Sequence, residues 1–244
     1  MSTFGLGYIP DEPDERDRPL AAALIPPAIA ASGTVWDDRA NVKNQGATSS
    51  CVGNAVSQAI RLGYMRHGAA CPELSARACY RAALTLDGST ADHGTYLRSG
   101  VRGAQKIGIP DESAWPFDAA HILAPLTFAA AHSAYDRRGV RGYYRIASGD
   151  VDGICAAIAH GFPVVAGWQV GPAFQRYTGT GLVDVEGSSI GGHALCLHSY
   201  DADGSFRGVN SWGTGWGRGG HFAATERWVA SATDVWALDV GGAS

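Results

Sequence analysis

The spacing of apolar residues changes character once along the chain, near Gly139, and that change limits the folds open to it. Before it the spacing is helical. Cys51 to Arg66 carries small and apolar residues at helical intervals (Ala55, Ala59, Ile60, Leu62, Gly63) and runs out near Gly68. Two more helices are predicted at Ser75–Leu86, capped by Ser75, and at Tyr96–Ile107, stopped by Gly108 and Pro110. A weaker helical stretch covers Leu126–Tyr135. After Gly139 the pattern is that of strands. Val140–Ile146 alternates, and a short helix at Val151–Ala159 has Asp150 as its cap. Strand signals then follow at Val164–Val170, Ala194–Tyr200, Phe206–Val209, His221–Ala224 and Val235–Val240. Helices first and strands later predict an α+β chain with two lobes. The 33 glycines among 244 residues fit a loop-rich fold and argue against a helical bundle.

Several function classes lose support at once. The net charge is −4 and no run of lysine or arginine stands out, so nucleic-acid binding is not expected. Met1 to Arg18 has no basic start followed by an apolar core, so it does not read as a secretory signal. The apolar run from Leu20 to Ala31 is short and broken by Pro26 and Pro27, which rules it out as a membrane span. Five cysteines, at 51, 71, 79, 155 and 196, leave at least one thiol unpaired and are too sparse for a disulfide scaffold. A reducing, cytoplasmic setting is expected. No Cys-x-x-Cys or His/Cys cluster has zinc spacing, and no metal or organic cofactor is expected.

One cysteine stands apart by its position. A thiol attacks as the thiolate, and a helix N-terminus or a nearby imidazolium favours that form. Cys51 opens the first predicted helix. Taken alone it would be an ordinary small buried hydrophobe, and that reading is kept for Cys71, Cys79, Cys155 and Cys196. Its surroundings change the odds. Gln45-Gly46 lies six positions upstream in the run Val42–Cys51. Gly191-Gly192-His193-Ala194-Leu195 opens a strand 142 positions downstream of Cys51, and its glycines leave room for a peptide backbone. Asn210-Ser211-Trp212-Gly213-Thr214-Gly215-Trp216-Gly217 begins 17 residues after His193.

These three segments, in this order and spacing, resemble the papain-like cysteine peptidases, in which cysteine and histidine lie about 130–150 residues apart. Glu73-Leu74-Ser75 and the stretch from Gly94 to Trp115 extend the resemblance to roughly Val35–Val240. It implies a two-lobed fold: a helical lobe (about 36–138), an antiparallel barrel-like lobe (about 139–244), and a cleft between them. It implies Cys51 as nucleophile, His193 as acid–base, Asn210 orienting the imidazole and Gln45 as an oxyanion donor. Among substrate-binding positions it implies Gly94 on the substrate backbone, Ala194 lining the main pocket, and Trp212, which also shields the His–Asn bond. The substrate is then a peptide or protein, hydrolysed through a thioester. A catalytically silent binding protein and a thioester-dependent transpeptidase or ligase are the alternatives. A monomer is favoured.

The sequence departs from that family in three places. Thr48 stands where many relatives have a cysteine, and Ala91–Gly94 lacks its partner, consistent with a reducing setting. Val52 replaces a common tryptophan. Residues 1–34 are far shorter than a folded propeptide and read as an extended leader, with a mature-like start near Val35-Trp36-Asp37. Gly7-Tyr8-Ile9-Pro10 resembles short bacterial leaders, so a prokaryotic source is expected. The leader is expected either to lie in the cleft and limit access or to form a disordered tail.

Overall fold

The computed structural model describes residues 4–22, 32–35, 42–68, 71–136 and 140–241. Most of the apolar run at 20–31, the start at Trp36-Asp37 and the lobe junction at 138–139 lie outside them. The described elements follow the predicted order: β1 (Tyr8–Ile9), β2 (Gly33–Thr34), α1 (Cys51–Arg66), α2 (Ala76–Leu86), β3 (Thr95–Tyr96), α3 (Leu97–Lys106), α4 (Phe128–Asp136), β4 (Val140–Ile146), α5 (Val151–His160), β5 (Val164–Val170), α6 (Pro172–Gln175), β6 (Gly191–Tyr200), β7 (Phe206–Val209), β8 (His221–Ala224), α7 (Glu226–Ala230) and β9 (Asp234–Val240). Helices α1–α3 pack together, and an antiparallel sheet in the order β4-β9-β5-β6-β7-β8 carries the other half, with β2 joined to β6. The class is α+β, as the change in periodicity implied.

Helix α1 is buried over almost its whole length because it is wedged between α2, α3 and the sheet. Its small residues make that possible. A Cβ on Gly53 would meet the Ala76 carbonyl at 2.5 Å and the Tyr80 nitrogen at 2.7 Å, and one on Gly63 would meet Val240 at 2.4 Å. A helix buried on all sides needs such close approaches. The predicted caps form: Ser75 accepts from the Ala78 nitrogen and Asp150 from that of Gly153.

The N-terminal segment has no core of its own, but it is not detached. Tyr8 and Leu20 are buried in the core of the molecule. β1 pairs in parallel with β3, matching Tyr8 to Thr95 and Ile9 to Tyr96, and Pro19 bridges to Arg145. Gly33–Thr34 adds to the sheet beside Tyr200 and Ser199.

Candidate active site

Four segments converge. Cys51 is the first residue of α1, where unpaired helix amides point outward. His193 and Ala194 enter from β6, and the Ala194 backbone N–H is directed at the Cys51 sulfur. This contact places the thiol beside the histidine. His193 Nε2 and Asn210 Oδ1 lie 2.8 Å apart, and Asn210 Oδ1 also accepts from the Ser211 nitrogen at 2.7 Å. A carbonyl oxygen accepts, so Nε2 carries the proton. The buried Nδ1 then remains the proton-exchanging nitrogen, with no hydrogen-bond partner among the described residues. The Trp212 ring stacks on the imidazole at 4.5 Å, and Phe174 packs against both.

Gln45 is fixed by its neighbours. Its Oε1 accepts from Ser211 Oγ at 2.6 Å, and its backbone nitrogen donates to the Ser211 carbonyl at 2.8 Å. The amide Nε2 is thereby aimed, and it donates to the Gly5 carbonyl at 3.1 Å. Trp212 Nε1 donates to the same oxygen at 3.1 Å. A peptide carbonyl of the chain's own leader therefore sits on the amide that the sequence marked as an oxyanion donor. Phe4 stacks on Trp212 at 4.7 Å, and Gly7 N donates to the Gly192 carbonyl at 3.0 Å. The two leader glycines permit this path. A Cβ on Gly5 would lie 2.0 Å from the Thr48 carbonyl, and one on Gly7 would lie 2.1 Å from that of Ser49.

The covered site is electrically quiet. Cys51 and His193 have no exposed surface. Burial pushes the Cys51 thiol up to about 12, and burial takes His193 down to about 4 despite the Asn210 hydrogen bond. A helix-start thiol is expected to be depressed. Here both groups are buried and the imidazole is neutral, so neither charge that would stabilise the other is present.

The expected substrate-binding residues fall around the leader. Gly94 does not itself hydrogen-bond it: the Gly94 nitrogen donates to the Tyr80 hydroxyl, and the bond to the Gly7 carbonyl comes from Thr95 N at 2.9 Å. The role of Gly94 is space, because a Cβ there would lie 2.1 Å from the Gly7 oxygen. Ala194 is the register partner of Gly167, so both occupy the sheet face against which the Tyr8 ring lies. Trp212 holds Phe4 and the Gly5 carbonyl. Sequence reasoning did not mark Ser211 as the group that aims Gln45, nor Phe174, Thr95 and Asp234. The Asn-Ser-Trp run contained Ser211; the other three carry no local signal.

A cysteine at a helix start, an imidazole held by an amide and a second amide on a peptide carbonyl define a thiol hydrolase type of site. Comparisons with known proteins give the same class. Residues 34–233 match the family described as papain family cysteine protease, and the chain belongs to that family. It is 28% identical to an uncharacterized peptidase C1-like protein of Acanthamoeba polyphaga mimivirus, over 95% of this chain and 86% of that one. Its fold is similar to that of xylellain, a cysteine protease from Xylella fastidiosa (TM-score 0.82, 23% identity, 98% of this chain and 97% of that one). It is also similar to digestive procathepsin L 3 of Tenebrio molitor larval midgut (TM-score 0.76, 22% identity, 96% of this chain and 75% of that one). The protein is a papain-like cysteine peptidase. Among the described residues, no helix is long and apolar enough to cross a membrane.

Proposed function

We propose that the chain is a cysteine endopeptidase acting through Cys51, His193, Asn210 and Gln45, and that its leader restrains it. The supporting observation is a leader carbonyl seated on Gln45 Nε2 at 3.1 Å, beside a thiol and an Asn-held imidazole. When a substrate replaces the leader, water and solvent dipoles return and the thiol can pass its proton to His193 Nδ1. The thiolate attacks the peptide carbonyl, forming a carbon–sulfur bond. Gln45 Nε2 and the Cys51 backbone N–H hold the oxyanion; one side-chain donor of this kind contributes roughly 3–4 kcal/mol in a serine protease of unrelated fold. The carbon–nitrogen bond breaks as His193 protonates the leaving amine, and water activated by the same imidazole releases the acyl group. Asn210 keeps Nδ1 facing the sulfur. The leader is residues 1–34 and the peptidase domain 35–244, with its helical lobe to about 138. The substrate is a peptide or protein.

The test is intact-mass labelling of the full chain with an epoxide that alkylates papain-type thiols, together with hydrolysis of fluorogenic peptides. One adduct and measurable hydrolysis are expected in the wild type, slow while the leader is seated. Both vanish in Cys51→Ala, by at least about a thousandfold in hydrolysis. Failure of both in wild type and in a variant with a loosened leader would leave the silent binding protein as the better reading.

A further inference from the structure

The leader's deepest side chain is Tyr8, buried to 4% exposure. Its ring lies against Gly167, where a Cβ would come within 2.3 Å of the ring, so only glycine leaves the space. Its hydroxyl donates to Asp234 Oδ2. Asp234 is 1% exposed, and its other oxygen, Oδ1, accepts from Arg145 NH2. The Asp11 backbone nitrogen donates to Oδ2 at 2.7 Å. Tyr8 and Asp11 both belong to the leader. Asp234, Arg145, Gly167 and Ala194 do not.

We infer that Asp234, held by Arg145, is a specificity determinant, and that the pocket Tyr8 fills selects a tyrosine side chain of the substrate. The inference rests on the peptidase reading above. Once the leader leaves, Asp234 Oδ2 loses both of its leader donors at the foot of a slot in which the Thr233 side chain also meets the Tyr8 hydroxyl. Oδ1 keeps Arg145, so the pair is close to neutral in sum. A lysine or arginine would bring a further cation to a carboxylate that is already compensated. Phenylalanine would fill the slot but leave a buried carboxylate oxygen unsatisfied. A phenol fills the slot and supplies the missing donor. The Gly167–Ala194 register pair forms the wall: glycine admits the ring, and alanine adds only a methyl group.

The test uses the full chain with Tyr8→Gly combined with Arg98→Ala, which loosens the hold on Asp11 and empties the pocket while Asp234 stays in place. Peptides vary one upstream position at a time among Tyr, Phe, Leu, Lys and Arg. At one position, tyrosine is expected to exceed phenylalanine in kcat/KM by about tenfold or more, the range for one donor to a buried charged acceptor. Asp234→Ala in the same chain should bring that ratio to about one. Should that variant fold poorly, Tyr8→Phe in the otherwise unaltered full chain asks the same question. It keeps the ring, removes the donor and should speed epoxide labelling of Cys51 by a similar factor. Equal rates for tyrosine and phenylalanine at every position, a preferred basic peptide, or unchanged labelling in Tyr8→Phe would overturn the assignment while Cys51 still reacts. No labelling and no cleavage at all would overturn the peptidase reading, and this assignment with it.

Discussion

The two ends of the leader are held by different physics. Residues 4–7 lie over the catalytic groups and are held mainly by backbone hydrogen bonds and one stacked ring: Gly5 to Gly46 and Gln45, Gly7 to Gly192 and Thr95, and Phe4 on Trp212. Residues 8–17 are fixed by charge. Asp11 accepts from Arg98 N, Arg145 and Trp236, and Arg98 forms a two-pronged contact with Asp17 at 2.7 and 2.8 Å while donating to the Glu12 carbonyl. The first end meets groups that a substrate would also use under the proposed mechanism, so competition would displace it. The second end grips residues outside the catalytic set, and its contacts from Glu12 and Asp17 to Arg98 can tether the leader while residues 4–11 lift. Covering and anchoring are thereby separated along about fourteen residues, and each can be broken alone.

Breaking the anchor should have the larger effect. Arg98→Ala removes three hydrogen bonds, two of them charge-assisted, from a pair whose side chains are 18% and 12% exposed. A wholly buried pair broken on one side costs about 3–5 kcal/mol, and partial exposure screens this one to about 2 kcal/mol. Epoxide labelling of Cys51 in the full chain should then rise about thirtyfold. The melting temperature would be followed in parallel, since Arg98 also lies on α3. Unchanged labelling would mean that the charged cluster does not hold the cover in place.

Breaking the cover should do less. Gly5→Ala puts a methyl group against the Thr48 carbonyl, forces residues 4–6 outward and costs the bonds to Gly46, Gln45 and Trp212. Three neutral bonds at about 0.5 kcal/mol each, net of replacement by water, predict labelling about tenfold faster. If Gly5→Ala outpaces Arg98→Ala, the ranking of the two ends is inverted, and the leader is held chiefly at the catalytic groups.

How much of this the sequence carried differs between the body of the molecule and the leader. The longer elements α1–α5 and the strands β4–β9 were legible because each buries a periodic face, whereas β3, α6 and α7 are too short to show one; Cys51, Gln45, His193 and Asn210 stood in segments with tell-tale neighbours. The path of the leader was not. Among the described residues of 4–34 few side chains are buried, and the docking of Gly5 and Gly7 depends on carbonyls at Thr48 and Ser49 that only the fold brings close. Asp234 was invisible for the same reason. A single aspartate at the start of a strand has no pattern, and its partners Tyr8, Asp11 and Arg145 lie 226, 223 and 89 positions away. The quiet state of Cys51 was also hidden, because a helix start predicts a depressed thiol and burial in the folded chain reverses it.

The smallest expected effect is a dependence on pH that enters through the anchor. Burial, followed by the nearby Asp234 charge, raises the Asp11 carboxyl to about 6, against the lowering influence of Trp236 and Arg98. Arg145 and the Tyr8 hydroxyl complete its surroundings. In a released leader the same group titrates near its ordinary value of about 3.9. The docked form therefore holds the proton more tightly. This contribution to docking is full below the lower value and is lost as pH rises through about 6. Arg98 and Arg145 both favour the ionised carboxylate, so the net change should be only about threefold to fivefold in the fraction released between pH 5 and pH 7. Dividing each labelling rate by that of Asp11→Asn at the same pH removes the share of the thiol and imidazole themselves. The ratio of wild type to Asp11→Asn should rise with pH. A ratio that falls would mean that Asp11 is held ionised by its arginines, so that acid loosens the anchor.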